Sequence, residues 1–184
     1  FVIPAAPQQD MVNAGIAQAA SMYISERLEP SAFINIGYGD TPSRILNNLA
    51  TMAEHTLTCV SLTGGVSYYL PDTRSSVFNA KLHLIPTPLI ASSKEMAHAM
   101  RHESSVMEIS RMVALSQLTV VGIGAMHESA TIFKSGILNS NDFLYLKMQG
   151  AVGDLLSHFI DAQGNLIDTP LEDRLISTPL ATLK

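Results

Sequence analysis

The chain has 184 residues, 47% apolar and 15% charged, which suits one globular domain with a sizeable core and excludes a disordered protein. Its 16 acidic residues against 11 basic ones leave a net charge of −5, the wrong sign for a segment that itself grips a phosphate backbone. No apolar run approaches the roughly 20 residues of a membrane span and no secretory leader is visible, so no membrane contact is expected.

Residues 10–29 read as a helix, with Met11, Ile16, Ala20, Tyr23, Ile24 and Leu28 mostly at helical spacing. Ala32 to Ile36 is the first strand, and a helix follows from about Pro42 to His55, since proline suits a first turn whose N–H has no partner anyway. Leu57 to Leu62 is the second strand and ends in Thr63-Gly64-Gly65; Lys81 to Ile85 is the third and ends in Pro86-Thr87-Pro88. Ser92-Ser93-Lys94-Glu95 opens a helix as a capping box, and Ser105-Val106-Met107-Glu108 repeats the device. Leu118 to Ile123 is a buried strand; Thr131 to Ser135 follows, then a short helix near Asn141 to Met148, and Leu155 to Ile160 reads as a last strand before the turn Asp161–Asn165.

Strands alternating with helices predict an α/β fold with a mostly parallel sheet flanked by helices. In such sheets ligands bind beyond the carboxyl ends of the strands, where connections diverge. Glycines gather at those ends: Gly37 and Gly39, Gly64 and Gly65, Gly122 and Gly124. The single cysteine, Cys59, sits in the strand-like run LTCVSL and reads as an inert core thiol. With no disulfide framework, a reducing cytoplasm fits. Phe1 is not a start methionine and Lys184 follows a helical pattern without a stop signal, so the chain reads as a fragment of a longer protein.

Gly37 to Ser43 is the first candidate site. A helix start with free N–H groups and the hydroxyls of Thr41 and Ser43 suits a phosphate, and an ordinary tight strand-to-helix turn has the same residues. No Gly-Lys-Ser/Thr follows, so this is not a Walker loop. A third fingerprint glycine would fall at Pro42 here and at His127 after Gly122-Ile123-Gly124, so a nicotinamide cofactor is not expected. Asp40 either accepts from a sugar hydroxyl or caps the helix. Asp154, after Gly150-Ala151-Val152-Gly153, binds vicinal hydroxyls or acts as a general base, or is a turn aspartate. His98 and His102 share a helix face, but without HExxH a solvated face is the expected reading and no metal site is assigned. SYYLPDTRSSVF is a plain surface loop or a flap over the pocket, with Tyr68 or Tyr69 stacking on a ligand. Met96, Met100, Met107 and Met112 pack in the core or at a subunit contact. No G-x-S-x-G elbow accompanies the serines and histidines.

In collinear order, IGYGDT, SLTGGV, LIPTPLIASS, VVGIGA, ATIFKSG and GAVGDLLSHFIDAQGNLI resemble the SorC family of bacterial transcription regulators over nearly the whole chain. PLIASS and ATIFKSG look nearest to the Lsr-type branch, whose members respond to phosphorylated autoinducer-2. The resemblance implies an effector-binding domain spanning residues 1–184, with a helix-turn-helix that meets operator DNA in an N-terminal domain absent here. It implies a Rossmann-like fold similar to sugar-phosphate isomerases of the glucosamine-6-phosphate deaminase, ribose-5-phosphate isomerase and CoA transferase-like kind. It implies a sugar or sugar-phosphate effector, no cofactor, no catalysis, and a homo-oligomer, dimer or tetramer. Carried over by position, the effector site comprises Gly37, Tyr38, Gly39, Asp40, Thr41 and Ser43, a second wall at Thr63, Gly64 and Gly65, and Asp154 on the hydroxyls. The family continues into a GVAGG-like strand end and a helix with a ligand-binding lysine, which this sequence lacks; Lys134 and Lys147 do not match that motif. The competing readings are a sugar-phosphate isomerase or deaminase on the same fold, and an oligomerisation module with a vestigial pocket.

Overall fold

A computed structural model describes residues 2–8, 11–69 and 79–183. Four parallel strands form the central sheet: β1 (Phe33–Ile36), β2 (Leu57–Ser61), β3 (Ala80–His83) and β4 (Leu118–Val120), in the order β3-β2-β1-β4. The two helices that cover one face are α1 (Val12–Ser25) and α2 (Asp40–Met52); α3 (Lys94–Arg101) and α4 (Ser104–Leu115) cover the other. The alternation of side chains along a strand explains the two layers. Ile34 and Ile36 of β1 pack with Ala17, Ile24, Ile45 and Leu49, while Phe33 packs with Val60, Val106 and Ile109. Cys59 is buried in the first of these layers, and burial pushes its thiol up to about 12, so the thiolate is not formed at neutral pH.

The stretch expected as one strand, Leu118 to Ile123, is two. After β4 the chain turns at Val121-Gly122 and enters β5 (Ile123–Ala125), the edge of a second, three-stranded antiparallel sheet with β6 (Gly153–Leu155) and β7 (His158–Ile160). The strand expected over Leu155–Ile160 is likewise a hairpin, because Leu156 and Ser157 both take positive φ (55° and 67°). Two left-handed residues make the tight turn that suits twisted strands, and it is normally read from Asn-Gly. Between β5 and β6 lie α5 (Thr131–Lys134) and α6 (Ser140–Met148), which pack with Phe159 and Ile167 into a separate core. The short α7 (Pro170–Arg174) follows β7.

Helix starts differ from the sequence reading in two places. α3 is capped by Ser93, whose side chain accepts from the Met96 N–H at 3.1 Å, one residue later than the expected box. α4 starts at Ser104 with no side-chain cap, so Ser105 lies inside the helix and its capping box does not form. Ser93→Ala is expected to cost about 1 kcal/mol in urea unfolding, and Ser105→Ala much less. Met100 and Met112 pack beside the α3–α4 core, whereas Met96 and Met107 are exposed. Among the described residues no helix is long and apolar enough to cross a membrane.

Candidate functional site

The chain leaves β1 toward β2 and β3 and returns on the other side of β1 as β4. Their carboxyl ends therefore diverge, and a cavity of about 1190 Å³ opens there, as expected at such a reversal of strand order. Tyr38 to Ser43 form one wall and Val121 to Ala125 another, with Gly37 behind them donating its N–H to Val120 O at 2.8 Å. Asn13 and Ile16 of α1, His127, Ser129, the α5 residues Thr131 and Lys134, and Asp154 complete the rim and floor.

α2 begins at Asp40, two residues before the expected Pro42, with Gly39 as its N-cap residue at φ 128°. Pro42 has no N–H and Ser43 already donates to Gly39 O at 3.0 Å, so the open donors of this first turn are those of Asp40 and Thr41. Asp40 does not cap the helix by its side chain. Its carboxylate accepts twice from Arg44 Nε, at 3.0 and 2.9 Å, and from Asn13 Nδ2 at 2.9 Å, which ties α2 to α1. The Arg44 bonds hold its carboxyl below the usual range, against a smaller effect of burial.

Asp154 lies on β6, only 5% exposed, directly across from Gly124 of β5. A Cβ on residue 124 would fall on Asp154 Oδ1 and 3.0 Å from its Cγ, so only glycine lets the carboxylate lie there. Asp154 Oδ2 accepts from the Ser157 N–H at 3.1 Å and from the Tyr38 hydroxyl at 3.4 Å, and Tyr38 and Ser157 Oγ are 2.6 Å apart. The left-handed turn at Leu156-Ser157 is what aims that N–H back at the carboxylate. Burial raises the pKa of Asp154, opposed by these hydrogen bonds. Burial and the neighbouring Asp154 raise that of Tyr38, which stays a neutral phenol and donor.

Of the expected site residues, Tyr38, Gly39, Asp40, Thr41, Ser43 and Asp154 meet around one cavity. Thr63, Gly64 and Gly65 are not among its described lining. Thr63 is buried, its Oγ 2.7 Å from the Tyr69 hydroxyl, and Gly64 donates to Ile176 O at 2.9 Å. Tyr68 follows this turn, donates its N–H to Gly65 O at 3.0 Å and lines the cavity, its ring 5.9 Å from that of Tyr38. Tyr69 points into the core, and residues 70–78 of the expected flap lie outside the described residues. Arg44, Asn13, His127 and Lys134 were not foreseen. The i, i+4 spacing of Asp40 and Arg44 carried a signal for one of them; the others converge from separate elements.

The Sugar-bind family model ("Putative sugar-binding domain") matches residues 1–184. The transcriptional regulator LsrR of Klebsiella pneumoniae is 31% identical over 170 residues, covering 91% of this chain and 52% of that protein. LsrR of Escherichia coli (strain SMS-3-5 / SECEC) is 31% identical over 187 residues, covering 100% of this chain and 59% of that protein. The chain thus spans between half and three fifths of these curated relatives. Among solved structures, a DeoR family transcriptional regulator from Listeria monocytogenes superimposes with a TM-score of 0.82 at 19% identity, covering 99% of this chain and 74% of that one. The full-length sorbitol operon regulator SorC from Klebsiella pneumoniae gives 0.79 at 20% identity, covering 98% and 62%.

Proposed function

Since the chain belongs to the Sugar-bind family, the sugar-binding domain of SorC-type transcriptional regulators, we propose that it senses a small sugar or sugar phosphate and passes its occupancy to DNA contacts made by another domain. The observation that carries this reading is the cavity at the β1–β4 divergence, with a buried carboxylate on its floor and the head of α2 on its wall. Asp154, held through one oxygen by Ser157 and Tyr38, is positioned to accept from ligand hydroxyls. On the wall formed by Tyr38, Gly39, Asp40, Thr41 and Ser43, the N–H groups of Asp40 and Thr41 and the hydroxyls of Thr41 and Ser43 supply the donors. Phosphorylated autoinducer-2 is one candidate effector. Gly37 and the Thr63–Gly65 turn support this site from behind rather than touching the ligand.

In this reading the regulator is a cytoplasmic homo-oligomer, and the effector biases two quaternary arrangements by binding one of them better. The net charge of −5 fits a domain that leaves DNA to another part of the protein. No turnover is expected, since Asp154 is bound to a neutral phenol and a serine rather than to an acid–base partner. The test is a thermal-shift panel of paired phosphorylated and free sugars, including autoinducer-2, with ribose 5-phosphate and glucosamine 6-phosphate also followed for conversion. A ligand at 100 times its Kd should stabilise by about 2.7 kcal/mol. A panel in which no compound shifts the midpoint would remove the sensing function, and conversion of either phosphate would make the protein an enzyme.

A further inference from the structure

We propose that His98 and His102 form a two-imidazole chelate for a divalent transition-metal ion at the carboxyl end of α3. The site lies on the α3–α4 face of the sheet and shares no residue with the described lining of the cavity, so it stands or falls apart from sugar sensing.

Residues four apart share one face of a helix. Here the two rings lie together over one turn, their centroids 4.3 Å apart and their planes tilted by 33°. Both side chains are exposed. His102 Nδ1 is 2.7 Å from His98 O. A carbonyl oxygen only accepts, so Nδ1 carries the hydrogen and Nε2 keeps its lone pair for a metal. A backbone carbonyl that fixes the other ring nitrogen in this way is a common support behind a metal-ligating histidine. The His98 ring makes no hydrogen bond among the described residues, so it is the ring free to turn. A metal about 2.0–2.1 Å from each of two nitrogens holds them on the order of 3 Å apart, which rings this close can reach by a modest rotation.

The surroundings favour a cation. The last carbonyls of α3 carry the partial negative charge of a helix end, and His102 is its C-cap residue. The basic neighbours are engaged elsewhere: Arg101 donates to Leu175 O, and Lys94 pairs with Asp173 at 2.9 Å. The lack of a glutamate directly after His98 removes the general base of an HExxH protease, but chelation needs only the two imidazoles. Among the described residues no cluster of three or more His, Cys, Asp or Glu could hold a metal, so water completes the shell and the site has no catalytic base. Imidazole selects Cu²⁺, Ni²⁺ and Zn²⁺ over Mg²⁺ and Ca²⁺, which take oxygen ligands. A metal held there would staple the last turn of α3 just before α4 begins at Ser104.

The test is calorimetric titration of the untagged chain with Zn²⁺, Ni²⁺ and Mg²⁺. It compares the wild type, His98→Gln, His102→Gln and the chain with both substitutions, with His55→Gln as the control for a single exposed histidine. The wild type and His55→Gln should bind Zn²⁺ and Ni²⁺ alike, and Mg²⁺ not at all. Either substitution in the pair should weaken Zn²⁺ about tenfold or more, and the two together little further, because a chelate is lost as a unit. His98→Gln is the decisive variant, since its ring makes no hydrogen bond that the fold could lose. Zn²⁺ should also raise the melting midpoint of the wild type and not that of the double variant. The assignment is overturned if the wild type binds no Zn²⁺, if the double variant binds it as the wild type does, or if the two single losses are small and simply add, as for two separate imidazoles.

Discussion

Gly64→Ala is expected to destabilise the fold by about 3 kcal/mol or more, one of the largest effects of any single methyl group in this chain. A Cβ at residue 64 would collide with the backbone carbonyl oxygen of Pro88 and stand 2.9 Å from its carbon and 2.7 Å from Thr87 Oγ1. Those atoms are held in place. Gly65 donates to Thr87 O at 2.7 Å, Gly64 to Ile176 O at 2.9 Å, and Ile176 in turn to Leu89 O at 2.8 Å. Three segments distant in sequence are thus laced together at the end of β2, and none can retreat without releasing a buried hydrogen bond. Gly136→Ala is the control. Gly136 also has positive φ, 71°, but nothing lies within 4 Å of its added Cβ, so only the left-handed backbone resists, at about 1 kcal/mol. Urea unfolding of both variants checks the ranking; equal losses would show that the close approach at Gly64 carries no special weight.

The same turn shows where sequence reading reaches its limit. Thr63-Gly64-Gly65 follows a strand in a parallel sheet, and glycines at such a place equally permit a ligand or another part of the chain to come near; here the backbone of Pro88 and the side chain of Thr87 lie against Gly64, and the side chains of Tyr68 and Leu89 against Gly65. The parallel half of the fold was legible because its strands are short runs rich in apolar and β-branched residues separated by helix patterns: β1, β2 and β3 fall within a residue or two of their expected bounds. The antiparallel sheet was not, for two local reasons. VVGIGA is apolar throughout, so its period conceals the break at Val121-Gly122 where the chain passes between sheets. Leu156-Ser157 makes a tight turn without glycine or asparagine, so composition reads straight through it. That turn is sustained by the site itself, since Leu156 is buried, Ser157 donates to Asp154, and Ser177 Oγ donates to Leu156 O at 2.9 Å. Asp154 and the Tyr38–Ser43 loop could be read as candidates from their own neighbours. Their convergence, and the arrival of Asn13 and Lys134 from elements far off in sequence, is a property of the folded chain.

Asp154→Asn is expected to abolish the response to the effector while leaving the protein as stable as the wild type or more so at neutral pH. Burial raises the Asp154 pKa, so folding disfavours its charged form. Between the ordinary carboxylate value, about 4, and the raised folded value, the folded state holds a proton that the unfolded state has lost, and this group's contribution to stability falls as pH rises through that window. Asparagine carries no charge to bury and keeps a carbonyl oxygen for the Ser157 N–H, so the variant's advantage should appear above the window and vanish in acid. Asp154→Ala differs: it strips the acceptor from the buried Ser157 N–H and should cost about 1–3 kcal/mol. Asp40 works in the opposite sense, its carboxyl held low by Arg44, so its smaller surface contribution is present above the unfolded value and lost as pH falls. Thermal melts of wild type and Asp154→Asn from pH 4 to 8, with and without the stabilising sugar of the panel, separate the two roles. An Asn variant that melts well below wild type at neutral pH and still responds to the sugar would make Asp154 a structural carboxylate, needed for the Leu156–Ser157 turn and not for the ligand.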